Sequence, residues 1–237
     1  MQALYLMALE PVSETTADNY SFGFRKDRST ADAMARCHSL LSKKTSAQWI
    51  LEGDIKGCFD HISHEWLMKN IPMDKSILQK WLKCGYVYNR ELFPTEEGTP
   101  QGGIISPTLA NMALDGLQNL LETHFPWERV SGKSGWYCPK VRLVHSVKPL
   151  VADFLAERGL TLSEEKTKIT HITDGFDFLG FNVRKFGDTL LTQPSKDRTK
   201  RMLSKVKDEI KRFRGDAQHE LIMRLNPILN GWANYYK

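Results

Sequence analysis

The stretch Leu51-Glu52-Gly53-Asp54-Ile55-Lys56-Gly57-Cys58-Phe59-Asp60-His61-Ile62 decides the reading of this chain. The apolar run Trp49-Ile50-Leu51 leads into it and has the length of a buried strand. Such a strand delivers Asp54 at a fixed point, and Gly53 leaves room beside it. A carboxylate held on a strand end suits a hard cation such as Mg²⁺, which prefers oxygen ligands. An isolated Asp after a strand also serves as a turn or helix-capping residue. The reading therefore rests on the whole twelve-residue string and not on Asp54 alone.

Working outward, a second unusual stretch follows at Gly98-Thr99-Pro100-Gln101-Gly102-Gly103-Ile104-Ile105-Ser106-Pro107. The glycines after Gln101 allow backbone to approach a ligand closely. Gln101 offers both a donor and an acceptor. Ser106-Pro107 is well placed to open the next helix. Alone, Pro-Gln-Gly is also simply a tight turn that caps a helix.

Around these stretches the pattern mixes strands and helices. Residues 2–10 are expected to form a helix stopped by Pro11. Ser29-Thr30-Ala31-Asp32 reads as the cap of a helix carrying Ala33, Cys37, Leu40 and Leu41. Ser63 caps a short helix through Asn70, and another helix spans Asp74 to Cys84. Tyr86 to Phe93 is strand or loop, Pro107 to Leu121 is helical in period, and residues 126–139 read as loop. Val141-Arg142-Leu143-Val144 is a short strand candidate, and Val147, Leu150, Val151, Phe154 and Leu155 then repeat at helical spacing. Thr167 to Ile172 alternates as a strand, and Phe176-Asp177-Phe178-Leu179-Gly180-Phe181 follows as another. From Ser195 the pattern is helical, with Met202, Leu203, Val206, Ile210 and Phe213 on one side. Breaks near Gly215 and at Pro227 divide this tail. A boundary is expected near residue 190.

Charge is concentrated in that tail. The net charge is +5, yet residues 184–214 hold eleven Lys/Arg against four Asp/Glu. The remainder is close to neutral, so any polyanion-binding face is C-terminal. Cys37, Cys58, Cys84 and Cys138 are widely spaced with no Cys-x-x-Cys pair, which argues against zinc and disulfides. No apolar run approaches a membrane span and no basic-then-apolar leader opens the chain. These features point to a cytoplasmic protein with no membrane partner. The amphipathic start and the abrupt end at Lys237 look cut.

Together the two quoted stretches resemble the metal-binding and nucleotide-binding boxes of reverse transcriptases, most closely those encoded by group II introns. The resemblance implies an α+β fold. Residues 1–190 would form partial fingers and a palm, a small antiparallel sheet with flanking helices. Residues 191–237 would form a basic helical thumb and the start of the maturase-specific region. The implied activity is that of an RNA-directed DNA polymerase, with Mg²⁺ as cofactor. The implied partners are group II intron RNA, an RNA/DNA primer-template duplex and deoxynucleoside triphosphates. The implied biological role is intron splicing and mobility.

Carried over residue by residue, Asp54 is the catalytic metal ligand and the Ile55 carbonyl a second metal contact. Phe59 matches the bulky residue that packs under the incoming sugar and excludes a 2′-hydroxyl, and Gln101 is a nucleotide contact. Phe22-Gly23-Phe24-Arg25 with Arg28-Ser29-Thr30 resembles the segment between fingers and palm, where Arg25 meets template or phosphate, an ion pair being the alternative. Gly159-Leu160-Thr161-Leu162-Ser163-Glu164-Glu165-Lys166-Thr167 resembles the run into the last palm strands. The stretch Phe176 to Phe181, with Gly180, resembles the hairpin that supports the primer end. In the thumb, Lys200, Arg201, Lys205 and Arg212 suit nucleic-acid phosphates. Arg224-Leu225-Asn226-Pro227-Ile228-Leu229-Asn230-Gly231-Trp232-Ala233-Asn234-Tyr235-Tyr236 resembles the opening of the maturase-specific region.

Three departures qualify the match. Gln2 begins after the fingers box that meets the triphosphate, and the maturase region stops after Tyr236. The third departure is internal. The family reads Val-Arg-Tyr-Ala-Asp-Asp, whereas here Val141-Arg142-Leu143-Val144-His145-Ser146 runs straight into Val147-Lys148-Pro149. The hairpin with two further carboxylates is missing. Ala152-Asp153-Phe154 echoes it but lies in helical spacing, so Asp153 is not a ligand, and His145 is incidental. Asp54 alone cannot hold two metals in the usual way. The expectation is a family member without polymerase activity. The alternatives are a non-catalytic intron-RNA-binding remnant or a decayed reading frame that folds poorly because sheet edges are exposed.

Overall fold

The computed structural model of the chain describes all residues except 89–90, 94, 100–102, 126–135, 139–140 and 216, and of residues 86–88, 91–92, 136–138 and 141–144 the backbone. The described residues divide into two compact units, 1–171 and 172–237. The boundary expected near residue 190 falls inside a strand of the second unit.

The first unit opens with α1 (Gln2–Thr15), which continues through Pro11 where a stop is expected. Proline removes one backbone donor and its ring crowds the preceding turn. Here Leu9 and Ser13 on either side are buried, and the Thr15 and Thr16 hydroxyls donate to the Pro11 and Val12 carbonyls at 2.7 and 3.1 Å. α2 (Thr30–Leu41) begins at Ser29 in the expected cap, a reciprocal box with Asp32. Hydrogen bonds from the Ser29 side chain and backbone hold the Asp32 carboxyl below its ordinary range.

β1 (Trp49–Glu52) is followed by the short α3 (Cys58–His61), α4 (His64–Asn70) capped by Ser63, and α5 (Lys75–Leu82) capped by Asp74. β2 (Tyr86–Tyr88) and β3 (Glu91–Phe93) pair as an antiparallel ribbon. The helix read from Pro107 to Leu121 is two helices, α6 (Ser106–Leu114) and α7 (Leu117–His124). Gly116 adopts φ +92° at the break, and the Asp18 carboxylate accepts the Gly116 and Gln118 N–H groups at 3.0 and 3.2 Å. A side chain nearly 100 residues away thus caps α7, which local periodicity does not disclose.

β4 (Trp136–Cys138) pairs with β1, at the end of a segment read as loop. α8 (Val141–Ala156) then begins where a strand is expected at Val141–Val144. Val144, Val147 and Val151 share helical spacing with Phe154 and Leu155, so the valine-rich start extends the helix period. β5 (Lys168–His171) completes the antiparallel sheet β4-β1-β5. Helices cover it around a core that includes Leu51, Ile62, Leu67, Leu109, Leu121 and Leu155, each at most 1% exposed.

The second unit is a meander, β6 (Phe176–Phe178), β7 (Phe181–Phe186) and β8 (Thr189–Pro194), followed by α9 (Lys196–Arg212) and α10 (Gln218–Tyr235). The run read as one strand, Phe176 to Phe181, reverses at Leu179-Gly180, because Phe178 pairs with Phe181. Ser195 caps α9. The break near residue 215 is present, but α10 passes through Pro227 without a second break. The lost donor there faces a helix with no buried residue, so water can satisfy the freed carbonyl.

Candidate nucleic-acid interface

The string around Asp54 leaves β1 at Glu52 and is fastened on two sides. On one side the Ser163 N–H donates to the Asp54 carbonyl at 2.7 Å and the Lys56 N–H to the Thr161 carbonyl at 2.9 Å. Ile55 makes a bridge with Leu162 between them. Gly159, at φ +75°, lies so close that a Cβ would stand 2.8 Å from the His61 carbonyl oxygen. On the other side the second quoted stretch docks. The Gly98 N–H donates to the Ile62 carbonyl at 2.8 Å and the Thr99 N–H to the Phe59 carbonyl at 2.6 Å. The His64 ring Nε2 donates to the Gly98 carbonyl at 2.7 Å. Gly98 has φ +79°, and a Cβ on it would lie 2.5 Å from backbone atoms of Phe59 and Asp60. Two stretches some forty residues apart are thereby one structure. Gln101 lies outside the described residues.

Asp54 itself is half exposed, and its carboxylate meets the Lys166 ammonium at 3.1 Å. A cation already stands at this carboxylate. Among the described residues no group of three or more His, Cys, Asp or Glu side chains is placed to hold a metal ion. A two-metal phosphoryl-transfer site needs several oxygen ligands around both ions. The residues described here do not fit it. Sequence reading passed over Lys166 as Asp54's partner, since local spacing carries no signal for a pair 112 positions apart.

Phe59 is half buried, and its ring meets Phe24 edge-to-face at 5.8 Å with an 83° interplanar angle. Arg25 does not reach outward. Its guanidinium is fully covered, 2.5 Å from Asp115 and 3.3 Å from Glu14. It also donates to the Ser13 carbonyl, Ser13 Oγ and Ser21 Oγ at 3.0–3.2 Å. The template contact expected of Arg25 finds no exposed donor here, because the charge is spent joining α1, its following loop and the end of α6. Asp153 lies within α8, in keeping with its helical spacing.

In the second unit, Leu179 and Gly180 form a two-residue hairpin turn with φ +50° and +83°, the left-handed pair of a type I′ turn. Tyr235 Oη donates to the Leu179 carbonyl at 2.7 Å and Tyr236 Oη to the Gly180 carbonyl at 3.0 Å. Phe181 stacks against Tyr235 and meets Tyr236 edge-on. A Cβ on Gly180 would stand 3.1 Å from Tyr236 Oη. Burial raises the Tyr236 phenol above its ordinary value, Tyr235 adds to this, and Arg198 opposes it. On α9, Lys200, Arg201, Lys205, Lys207, Lys211 and Arg212 are all exposed. Arg201 pairs with Asp197 one turn back at 2.9 Å. Met202, Val206 and Phe213 are half buried, while Leu203 and Ile210, read on the same stripe, are 64% and 45% exposed.

A small antiparallel sheet with an acid past the end of its central strand, packed by helices and joined to a glycine turn, is the palm of a reverse transcriptase. Residues 1–183 match the family described as reverse transcriptase (RNA-dependent DNA polymerase). Residues 199–237 match the group II intron, maturase-specific domain. The chain therefore belongs to the reverse transcriptase family, on its group II intron branch. It is 31% identical to protein YkfC of Escherichia coli K12, covering 77% of this chain and 60% of that one. It is 34% identical to the group II intron-encoded protein LtrA of Lactococcus lactis, covering 71% of this chain but 28% of LtrA. It thus spans less than two thirds of either relative. The telomerase of Candida albicans, solved with a fragment of telomeric RNA, shares the fold over 97% of this chain and 44% of its own, with a TM-score of 0.53 at 15% identity. Reverse transcriptase and maturase domains are nucleic-acid-binding modules, and the family uses divalent metal ions. Among the described residues no helix is long and apolar enough to cross a membrane.

Proposed function

We propose that this chain binds group II intron RNA, and primer-template duplex of the same charge pattern, without supporting DNA synthesis. The want, among the described residues, of further carboxylates beside Asp54, whose described partner is the Lys166 ammonium, carries the second half of that reading. A lysine ammonium neutralises the carboxylate but cannot bridge phosphate oxygens as Mg²⁺ does, nor place a second ion. The sequence supports the same reading, since Leu143-Val144 is followed by His145-Ser146 where the family has its two carboxylates. The match to YkfC runs over 231 positions yet draws on only 77% of these 237 residues, so part of YkfC's aligned stretch has no counterpart here.

Binding is the work of α9. Its exposed cations replace counterions along a phosphate backbone, so affinity falls steeply with salt. With about six phosphates engaged, binding weakens about a thousandfold between low and physiological-to-high salt. By family resemblance Asp54 and Ile55 would be metal contacts and Phe59 and Gln101 nucleotide contacts, but in this reading the chain turns over no product from Mg²⁺ and deoxynucleoside triphosphates. The test is primer extension on an RNA template with Mg²⁺ or Mn²⁺, beside filter binding of intron RNA across a salt series. Extension that disappears in Asp54→Ala overturns the inactive reading. RNA binding unchanged in a Lys200/Arg201/Lys205/Arg212→Ala variant overturns the α9 reading.

A further inference from the structure

Phe24 is the most conspicuous residue that this reading leaves without a task. Its backbone is left-handed, at φ +56°, a region that resists an L residue with a bulky side chain. The ring is 71% exposed, so hydrophobic burial does not repay the strained backbone. The loop is nevertheless pinned on both sides. The buried Asn111 amide of α6 donates to the Gly23 carbonyl at 2.9 Å and the Phe24 carbonyl at 3.4 Å. The next residue, Arg25, is the covered guanidinium that ties together Ser13, Glu14, Ser21 and Asp115. A strained conformation persists only where its surroundings over-determine it, and such sites cluster where a ligand is met.

What the loop presents is one open aromatic face. Phe24 stands edge-on to Phe59, whose backbone is held by Thr99. The two rings stand nearly perpendicular, at 83°, and the exposed Phe24 ring is free to stack on a planar group. We propose that Phe24, with Phe59, is a stacking site for an unpaired nucleobase of the bound nucleic acid. Bases inside a duplex have both faces covered by neighbours, so the site selects single-stranded segments, loops or ends. The exposed charges on the two segments are Lys26 and Lys56 against Asp27, Asp54 and Asp60, and Lys166 faces Asp54, so they cancel. Recognition here therefore rests on stacking and differs in kind from the phosphate binding of α9. The inference rests on the RNA-binding reading and adds a second, charge-independent contact to it.

The experiment compares oligoadenylate with a blunt RNA duplex of the same length, each titrated against the full chain at low and high salt. Phe24→Asn removes the ring while keeping a residue that tolerates left-handed backbone. It is expected to weaken oligoadenylate binding about tenfold, by the same factor at both salts, and to leave the duplex unaffected. Phe24→Trp restores oligoadenylate binding. An unfolding midpoint for Phe24→Asn no lower than that of the natural chain shows that the loop survives. Oligoadenylate affinity unchanged in Phe24→Asn, or an equal loss for both RNAs, overturns the stacking site while leaving the α9 reading intact. A natural chain that binds neither RNA overturns both.

Discussion

The two units secure their working turns by opposite means. In the first unit, the turn at Gly98-Thr99 is fastened by backbone hydrogen bonds to Phe59 and Ile62, in space too tight for a side chain. The loop at Phe24 is fastened by a covered guanidinium. In the second unit, the turn at Leu179-Gly180 is fastened by two hydroxyls from the last turn of a helix that buries no residue. Backbone and buried charge tolerate no substitution, whereas exposed side-chain staples lose one increment at a time. The contrast predicts a steep ranking of mutational effects between the units.

The largest effect belongs to Gly98→Ala. A Cβ at 2.5 Å from the backbone of Asp60 meets atoms with nowhere to go, and φ +79° adds left-handed strain. The loss expected is about 4 kcal/mol or more, read as a large drop in the urea midpoint or a failure to fold. A loss below about 1 kcal/mol would show that the two stretches are less tightly joined than this geometry holds. Arg25→Ala comes next. It strips the 7%-exposed Asp115 side chain of its guanidinium at 2.5 Å, and breaking a buried pair this way costs about 3–5 kcal/mol. If Arg25 served nucleic acid instead, the variant would keep its stability and lose RNA affinity.

Arg25, for which template contact and ion pair both stood open and whose partner is the distant Asp115, marks where the sequence stopped being informative. Short-range signals were legible: the Ser29-Asp32 cap, the Ser63 cap, the helix starting at Asp74, the strand before Asp54 and the helix from Ser195 all follow from neighbours within a turn. The family assignment was legible too, because whole strings carried it. What stayed hidden depends on partners far along the chain. Asp18 capping α7, Lys166 at Asp54, and the Arg25–Asp115 pair join residues about 90 to 112 positions apart. The Val141–Val144 segment misled for a related reason. Its residue types favour a strand, but its spacing runs into a helix that packs on the sheet, and tertiary context overrides propensity.

The second unit should answer more gently. Tyr236→Phe removes one hydroxyl donor to the Gly180 carbonyl while sparing its ring contacts with Phe181 and Trp232. About 1 kcal/mol is expected, with faster hydrogen exchange at the Ser195 N–H, which donates to the same carbonyl at 2.9 Å. Because burial raises the phenol above its ordinary value, this contribution is intact at neutral pH. It is lost only as pH climbs past the ordinary tyrosine range. Leu179→Gly should act with the opposite sign. It relieves the left-handed strain at φ +50° and changes stability by a few tenths to about 1 kcal/mol upward, offset by the entropy of glycine in the unfolded chain. A destabilising Leu179→Gly would mean that the leucine side chain has a packing role its 42% exposure does not suggest.

The smallest effect should fall at the residue on which the reading began. Asp54 and Lys166 pair at 3.1 Å, but their side chains are 49% and 71% exposed. Such a pair contributes about 0–1 kcal/mol, and salt screens it further. Asp54→Asn keeps the shape of the side chain and the carbonyl bond from Ser163, so the thermal midpoint should scarcely move. RNA affinity should hold or rise slightly as one negative charge leaves a chain that binds a polyanion. A fall in affinity on Asp54→Asn, restored by raising Mg²⁺, would show that the carboxylate recruits a metal in spite of Lys166. That outcome would turn the comparison around, since a half-exposed acid of the first unit would then be doing the work here assigned to the basic helix of the second.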